Sequence, residues 1–372
     1  MKRDSHYYAL LAFCRACGFK KESAHLVAYA SQFVDDAKIN LMYIANPVYD
    51  DINYDLIDGR PAFFDMATAH SYFRISTFNY ESMVNNTCAF HFVPGCKGES
   101  FTKKLRCMEE SVIILEILND VLKTPDLIKL GLVLHAYADT FSHQGFSGLL
   151  SKVNDINNCK AKSELYLGLR DRILYYFKLV SKDKYDEVFD NVVPAYGHGL
   201  ALDFPDIPYL VWSYEYDYSD EFICTYKLTE VDNKLRYRRA FEKIKIYLEN
   251  YLRLNPQYLD PEVKFNNFDY LFETLLLENT DRIRELNWIS TLITLGLFAK
   301  NDFEYVIYED NKWLKEAFKN YNPQVYNCRE VAWAELGADF PQTNWFKFYL
   351  AVKWYKQLFF NYCQKYGLVL PH

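Results

Sequence analysis

The amino-acid sequence predicts an all-α protein, a single compact multi-helix domain over residues 1–372 with long irregular loops. Three observations point there. Apolar residues recur at helical spacing through most of the chain. No internal repeat or flexible linker divides it. Half of its 372 residues are hydrophobic, enough for one large core.

Taken in order, Asp4-Ser5-His6 opens a helix that runs to about Cys17 and stops at Gly18. A second begins at Lys21 and ends near Asn40, carrying Asp35 and Asp36. From Ala45 to Tyr80 the chain is rich in Asn, Asp, Pro and aromatics, so a long irregular segment is expected, with a short hairpin at Asp58-Gly59. Phe101 to Leu122 reads as one helix, and Thr124-Pro125-Asp126 breaks it to start a central helix. Ser163 to Val180 has helical spacing, whereas Val192 to Pro208 is a Gly/Pro-punctuated loop and Leu210 to Tyr226 looks extended and aromatic. Further helices are expected at Asp232–Leu252, Phe268–Glu278, Asp281–Ala299, Asn311–Tyr321, Val331–Leu336 and Trp345–Gly367.

Composition narrows the function. The net charge is −7 and the pI is near 5.7, which argues against a broad basic surface for nucleic acid. Bound cations would reverse the local field, so nucleic acid stays open as an anionic substrate. The polar start Met1-Lys2-Arg3-Asp4 and the short apolar patch Tyr7–Phe13 do not read as a secretory signal. The longest apolar stretch, Trp288–Ala299, is too short to span a bilayer. Nine scattered cysteines then suggest reduced thiols and a cytoplasmic protein. Cys14-x-x-Cys17 has no second pair and falls in a helical pattern, so it reads as core.

The chemistry concentrates in His135-Ala-Tyr-Ala-Asp139-Thr-Phe-Ser-His143. Steps of four on a helix advance the face by only about 40°, so His135, Asp139 and His143 share one stripe. Imidazoles and a carboxylate so spaced can converge on a divalent metal. Asp35 and Asp36 point about 100° apart, so only one can face the same centre. Asp36 is expected as the ligand, with Asp35 orienting a ligand or acting as general base. His6, His70, His91 and His198 complete the candidate ligands, with Asp203 and Asp206 beside His198. Seven of eight histidines precede residue 199, which makes about 1–210 the metal-site half and 211–372 the scaffold or lid.

These residues also carry a resemblance. Asp4-x-His6-Tyr-Tyr, Arg15-Ala-Cys-Gly-Phe19, Tyr29-Ala-Ser-Gln-Phe-Val-Asp-Asp36, His135 through Gly148, Gly197-His198 and Pro205-Asp-Ile-Pro-Tyr209 resemble an uncharacterised bacterial family known only as a domain of unknown function. A fainter resemblance is to the zinc-dependent phospholipase C and P1 nuclease superfamily, all-helical enzymes with a three-metal site. It implies a phospholipase C-like fold and ligands at His6, Asp36, His135 and Asp139, an intervening His70 or His91, and His143 and His198. Two departures stand out. That superfamily uses the terminal amine exposed after secretion as a ligand, and its later HxxxE helix has no counterpart here. Two metals are therefore expected over three.

The function expected is a metal-dependent hydrolase of a phosphoester or phosphodiester, with Asp35 and Asp139 as catalytic carboxylates. Zinc suits the His/Asp mixture, with manganese or iron as alternatives. The substrate would be a small phosphorylated molecule or a lipid. The competing expectation is a non-catalytic protein with a structural metal and an aromatic partner- or lipid-binding surface. No GxSxG elbow supports a serine hydrolase.

Overall fold

In a computed structural model of the protein, the chain opens with a π-helical turn, Asp4–Ala9, that runs directly into helix α1, Leu10–Cys17. Gly18, at φ 104°, ends it with a left-handed cap. The structure describes residues 1–46, 49–69, 79–163, 195–216, 228–323 and 331–370. The other long helices are α2 (Lys21–Asp36), α3 (Val112–Leu122), α4 (Leu127–Ser142), α5 (Asn233–Leu254), α6 (Phe268–Leu275), α7 (Asp281–Thr294) and α8 (Asn344–Lys365).

Helix α4 is the hub. Asp126 caps it by accepting from the N–H groups of Ile128 and Lys129 at 3.0 Å. It is apolar nearly all round and buried along almost its whole length, packed by α2, α3, α5 and α8. The α2–α4 crossing is close because Gly131 has no side chain. A β-carbon there would come 2.8 Å from Ala30 Cβ and collide with the Val27 carbonyl. This crossing brings the end of α2, with Asp35, to the stripe on α4.

The all-α expectation is overturned: the helices share the fold with two sheets. One has strand order β2 (Asp55–Ile57), β3 (Arg60–Phe64), β1 (Leu41–Asn46), β7 (Val331–Glu335). In it β1 pairs with β7 in parallel and with β3 antiparallel. Phe63 packs this sheet on α8, its ring 5.3 Å from Trp345 and 4.8 Å from Tyr349. The other sheet is antiparallel, in the order β4 (Ile156–Ala161), β5 (Val211–Tyr216), β6 (Thr229–Asp232).

The corrections have physical causes. Val331-Ala-Trp-Ala-Glu335 reads as helix because alanine favours helix, but pairing with β1 overrides that weak preference. The helix expected over Phe101–Leu122 is split into a turn, Phe101–Lys104, and α3. Between them Cys107 donates its N–H to the Phe146 carbonyl (2.7 Å) and Glu110 takes φ 49°. The hairpin expected at Asp58-Gly59 is present, with both residues at positive φ (52° and 72°). The extended segment is met by β5 up to Tyr216. The helix expected at Ser163–Val180 lies, apart from Ser163, outside the described residues. Among the described residues no helix is long and apolar enough to cross a membrane, and the seven described cysteines are free.

Replacing Gly131 by alanine is expected to lower stability by roughly 1–3 kcal/mol, the range for an overpacked core site. Chemical denaturation checks this. A Gly131→Ala protein as stable as wild type would show that the α2–α4 crossing is not fixed there.

Candidate metal centre

Three separate parts of the chain, the N-terminal turn, α4 and the segment that carries His91, meet at the buried carboxylate of Asp139. From α4 itself, His135 Nε2 lies 3.4 Å from Asp139 Oδ2. His143 is the C-cap of α4, yet its N–H still bonds the Asp139 carbonyl, so it stays on the stripe with Nδ1 3.6 Å from Oδ2. His6, within the π-helical turn, places Nε2 3.1 Å from Asp139 Oδ1, and its ring stacks on His135 at 3.8 Å. Wide helical turns of this kind recur at functional sites. His91 follows a second π-helical segment, Met83–Cys88, and sets Nδ1 3.1 Å from Asp139 Oδ2 and 3.2 Å from His135 Nε2. The amine of Met1 lies 2.6 Å from Asp139 Oδ1 and 3.2 Å from Asp206 Oδ1.

Within this assembly three sets of side chains each bring ligand atoms within 4.8 Å of one another: His6, Asp35 and His135; His91, His135 and Asp139; and His143, His198 and Asp206. The first two share His135 and form one region. The third shares no residue with them; in it His143 Nε2 is 2.9 Å from Asp206 Oδ1 and His198 Nε2 is 3.4 Å from Asp206 Oδ2.

The rings are oriented from behind. His91 Nε2 donates to the Thr68 carbonyl (2.9 Å), His143 Nδ1 to the His91 carbonyl (2.7 Å) and His198 Nδ1 to the Leu202 carbonyl (2.6 Å). In each neutral ring the remaining nitrogen then carries its lone pair into the centre, facing a carboxylate oxygen. Two acceptors at that distance repel unless a proton or a metal lies between them, and carbonyl-anchored imidazoles are the usual arrangement behind metal ligands. Leu202 takes φ 52° and ψ −129°, a shape that strains a residue with a side chain. The turn that aims its carbonyl at His198 is thus held by its surroundings.

Electrostatics follow from burial and crowding. Burial opposes ionisation of Asp139, but His143, the Met1 amine, His6 and His135 hold its carboxyl well below the ordinary range. Asp206 is likewise held low against burial by the amine, His198 and His143. Burial acts against the charged amine, yet Asp139, Asp206 and Asp35 push it up to about 11. His6 is pushed down to about 3, first by burial and then by His135 and the amine, so its ring is neutral at physiological pH. His198 is also lowered, chiefly by burial. His91 is raised, because Asp139 and Asp35 outweigh its burial.

Of the residues the sequence pointed to, His6, Asp35, His91, His135, Asp139, His143 and His198 are brought together. Asp36 is not. Its carboxylate accepts from the Tyr308 hydroxyl and lines a separate cleft with Phe33, Met42 and Trp345. Asp35 instead faces the centre, 3.8 Å from His135 Nε2 and 3.9 Å from His91 Nδ1. His70 lies outside the described residues. Asp206, seen in sequence only as a companion of His198, belongs to the third set. Its signal was an aspartate after a Gly-His-Gly turn, which spacing alone could not rank above Asp203. Asp203 pairs with Lys2 at 2.9 Å.

Fold and site together define a helix-rich protein, with two small sheets, built around a buried histidine–carboxylate centre. Residues 1–363 match the model of a family of unknown function, DUF6765, and the chain belongs to that family. No curated protein and no solved structure matches it.

Asp35→Ala is expected to lower bound metal, whereas Asp36→Ala leaves it unchanged. Elemental analysis of the two variants checks this; equal effects would remove Asp35 from the centre.

Proposed function

We propose that the centre holds two divalent cations, zinc being the simplest choice for this His/Asp donor set, and that the protein is a metal-dependent hydrolase of a phosphoester or phosphodiester. The observation that carries the reading is the set of carbonyl-anchored imidazoles whose free nitrogens converge on carboxylates. Such cations lower the pKa of a bound water toward about 7 and hold phosphoryl oxygens. In this reading one position is served by His91, His135 and Asp139, with His6 and Asp35 at its edge. The other is served by His143, His198 and Asp206. Asp139 lies between them, with Oδ2 within 3.6 Å of both His135 and His143. Two dications outweigh the carboxylates of Asp35, Asp139 and Asp206, and the Met1 ammonium adds to the positive charge, which draws an anionic substrate to an otherwise acidic protein.

An open side supports catalysis over a closed structural site. The Asp35 side chain is 30% exposed while those of His135 and Asp139 are at most 1%. In this reading water and substrate approach the centre past Asp35, which accepts a proton there as general base. The near-complete burial of His6, His135 and Asp139 favours the second reading, a structural metal in a binding protein. Phospholipid, nucleotide, nucleic acid and sugar phosphate all satisfy the substrate chemistry.

The metal-loaded protein is expected to hydrolyse bis(p-nitrophenyl) phosphate or one of a panel of lipid and nucleotide diesters. Groups behind a ligand are worth 10–100-fold, so loss of a ligand in His135→Ala should cost at least ~100-fold in kcat/KM. Chelation should abolish turnover, and activity should fall on acidification as protons compete with metal for imidazole nitrogen, first at His91, whose pKa is raised by Asp139 and Asp35, and last at His6, pushed down to about 3 by burial. Hydrolysis that survives both chelation and His135→Ala places the chemistry elsewhere. No turnover across the panel with metal fully bound favours the structural reading.

A further inference from the structure

The loop that carries His198 and Asp206 has no regular structure beyond two short 3-10 turns, Gly199–Ala201 and Phe204–Asp206. Its shape must come from groups that hold its backbone. Three of the four carbonyls from Phe204 to Ile207 are caught by the first turns of α5. Asn233, fully buried, donates its amide Nδ2 to Phe204 O at 2.7 Å and to Ile207 O at 2.8 Å. Its backbone N–H donates to Leu210 O at 3.0 Å. Tyr237, one helical turn on, donates its hydroxyl to Pro205 O at 3.2 Å. The orientation of the amide is fixed in turn: Trp212 Nε1–H donates to Asn233 Oδ1 at 3.2 Å. The donors of Asn233 thus straddle Asp206, and its acceptor is committed to a fully buried tryptophan of β5.

We infer that Asn233 is the positioning residue for Asp206, and through it for the cation position formed with His143 and His198. The inference rests on the metal reading above. Asn233 touches no candidate ligand atom and acts only through the backbone on both sides of Asp206. It also assigns part of the site to the half of the chain that holds no candidate ligand.

The molecule supplies a matched control. Asn255, buried at the other end of α5, donates its Nδ2 to two carbonyls as well, Leu122 at 3.3 Å and Tyr251 at 3.1 Å, remote from the histidines. Asn→Asp at either position keeps the side-chain volume and turns two donations into two repulsions. Full-length wild type, Asn233→Asp and Asn255→Asp are stripped of metal and titrated with zinc against a chromophoric chelator. Denaturation midpoints are recorded alongside. Wild type is expected to take two ions. Asn233→Asp is expected to keep the first and bind the second at least ~10-fold more weakly, the loss typical of groups that orient ligands. Asn255→Asp is expected to lose stability while binding both ions like wild type. Equal affinities for the second ion in the two variants overturn the inference and leave the metal reading intact. A wild-type protein that takes up no metal overturns both. If Asn233→Asp does not fold, Trp212→Phe carries the test, since it keeps the amide but frees its orientation. A severalfold weaker second ion is then expected, and unchanged affinity overturns the inference.

Discussion

The carboxylate of Asp139 is fully buried, and that constrains the rest of the structure. A buried ionised carboxylate left without partners costs roughly 3–5 kcal/mol. Asp139 is surrounded by His6, His91, His135, His143 and the Met1 amine, all within 3.6 Å of its oxygens. The Met1 ammonium balances one charge, and in the proposed reading the four imidazoles share the carboxylate with cations.

That requirement explains why the partners come from so many places. A helix presents only one stripe to a point beside it, so α4 supplies His135, Asp139 and His143. Other faces of the centre must be filled by other elements. The π-helical turn supplies His6, the segment after Met83–Cys88 supplies His91, the end of α2 supplies Asp35, and the loop before β5 supplies His198 and Asp206. The N-terminal turn is tied down separately. Asp4, two residues from His6, forms a buried ion pair with Arg284 of α7, and Lys2 bridges Asp203 and Asp281 at 2.9 Å each. The Asp4–Arg284 and Lys2–Asp281 pairs cross between the two halves of the chain, so the second half is more than a lid. It fixes the backbone on which the candidate ligands sit.

Much of this was legible in the sequence, and what was not has clear causes. The spacing of His135, Asp139 and His143 was enough to place them on one stripe, because helix geometry leaves little freedom. The divergence of Asp35 and Asp36 was also legible, but not which one turns inward. That depends on the rotation of α2 against α4, set at Gly131, and on Tyr308, 272 residues away, which bonds Asp36. The β2–β3 hairpin and β5 were legible, but the sheets they join were not, because β1, β4 and β7 lack clean alternation of apolar and polar residues and the parallel β1–β7 pair joins segments nearly 300 residues apart. Asp206 and Asn233 escaped because their partners are distant in sequence: His143 and the Met1 amine for Asp206, and the Phe204 and Ile207 carbonyls for Asn233.

The central claim, that Asp139 lies between two cation positions, is tested most directly by anomalous diffraction at the zinc edge on crystals of protein never exposed to chelator. The account predicts two peaks, one among His91, His135 and Asp139 and one among His143, His198 and Asp206. Absence of any peak at this cluster, with the side chains ordered, would contradict it.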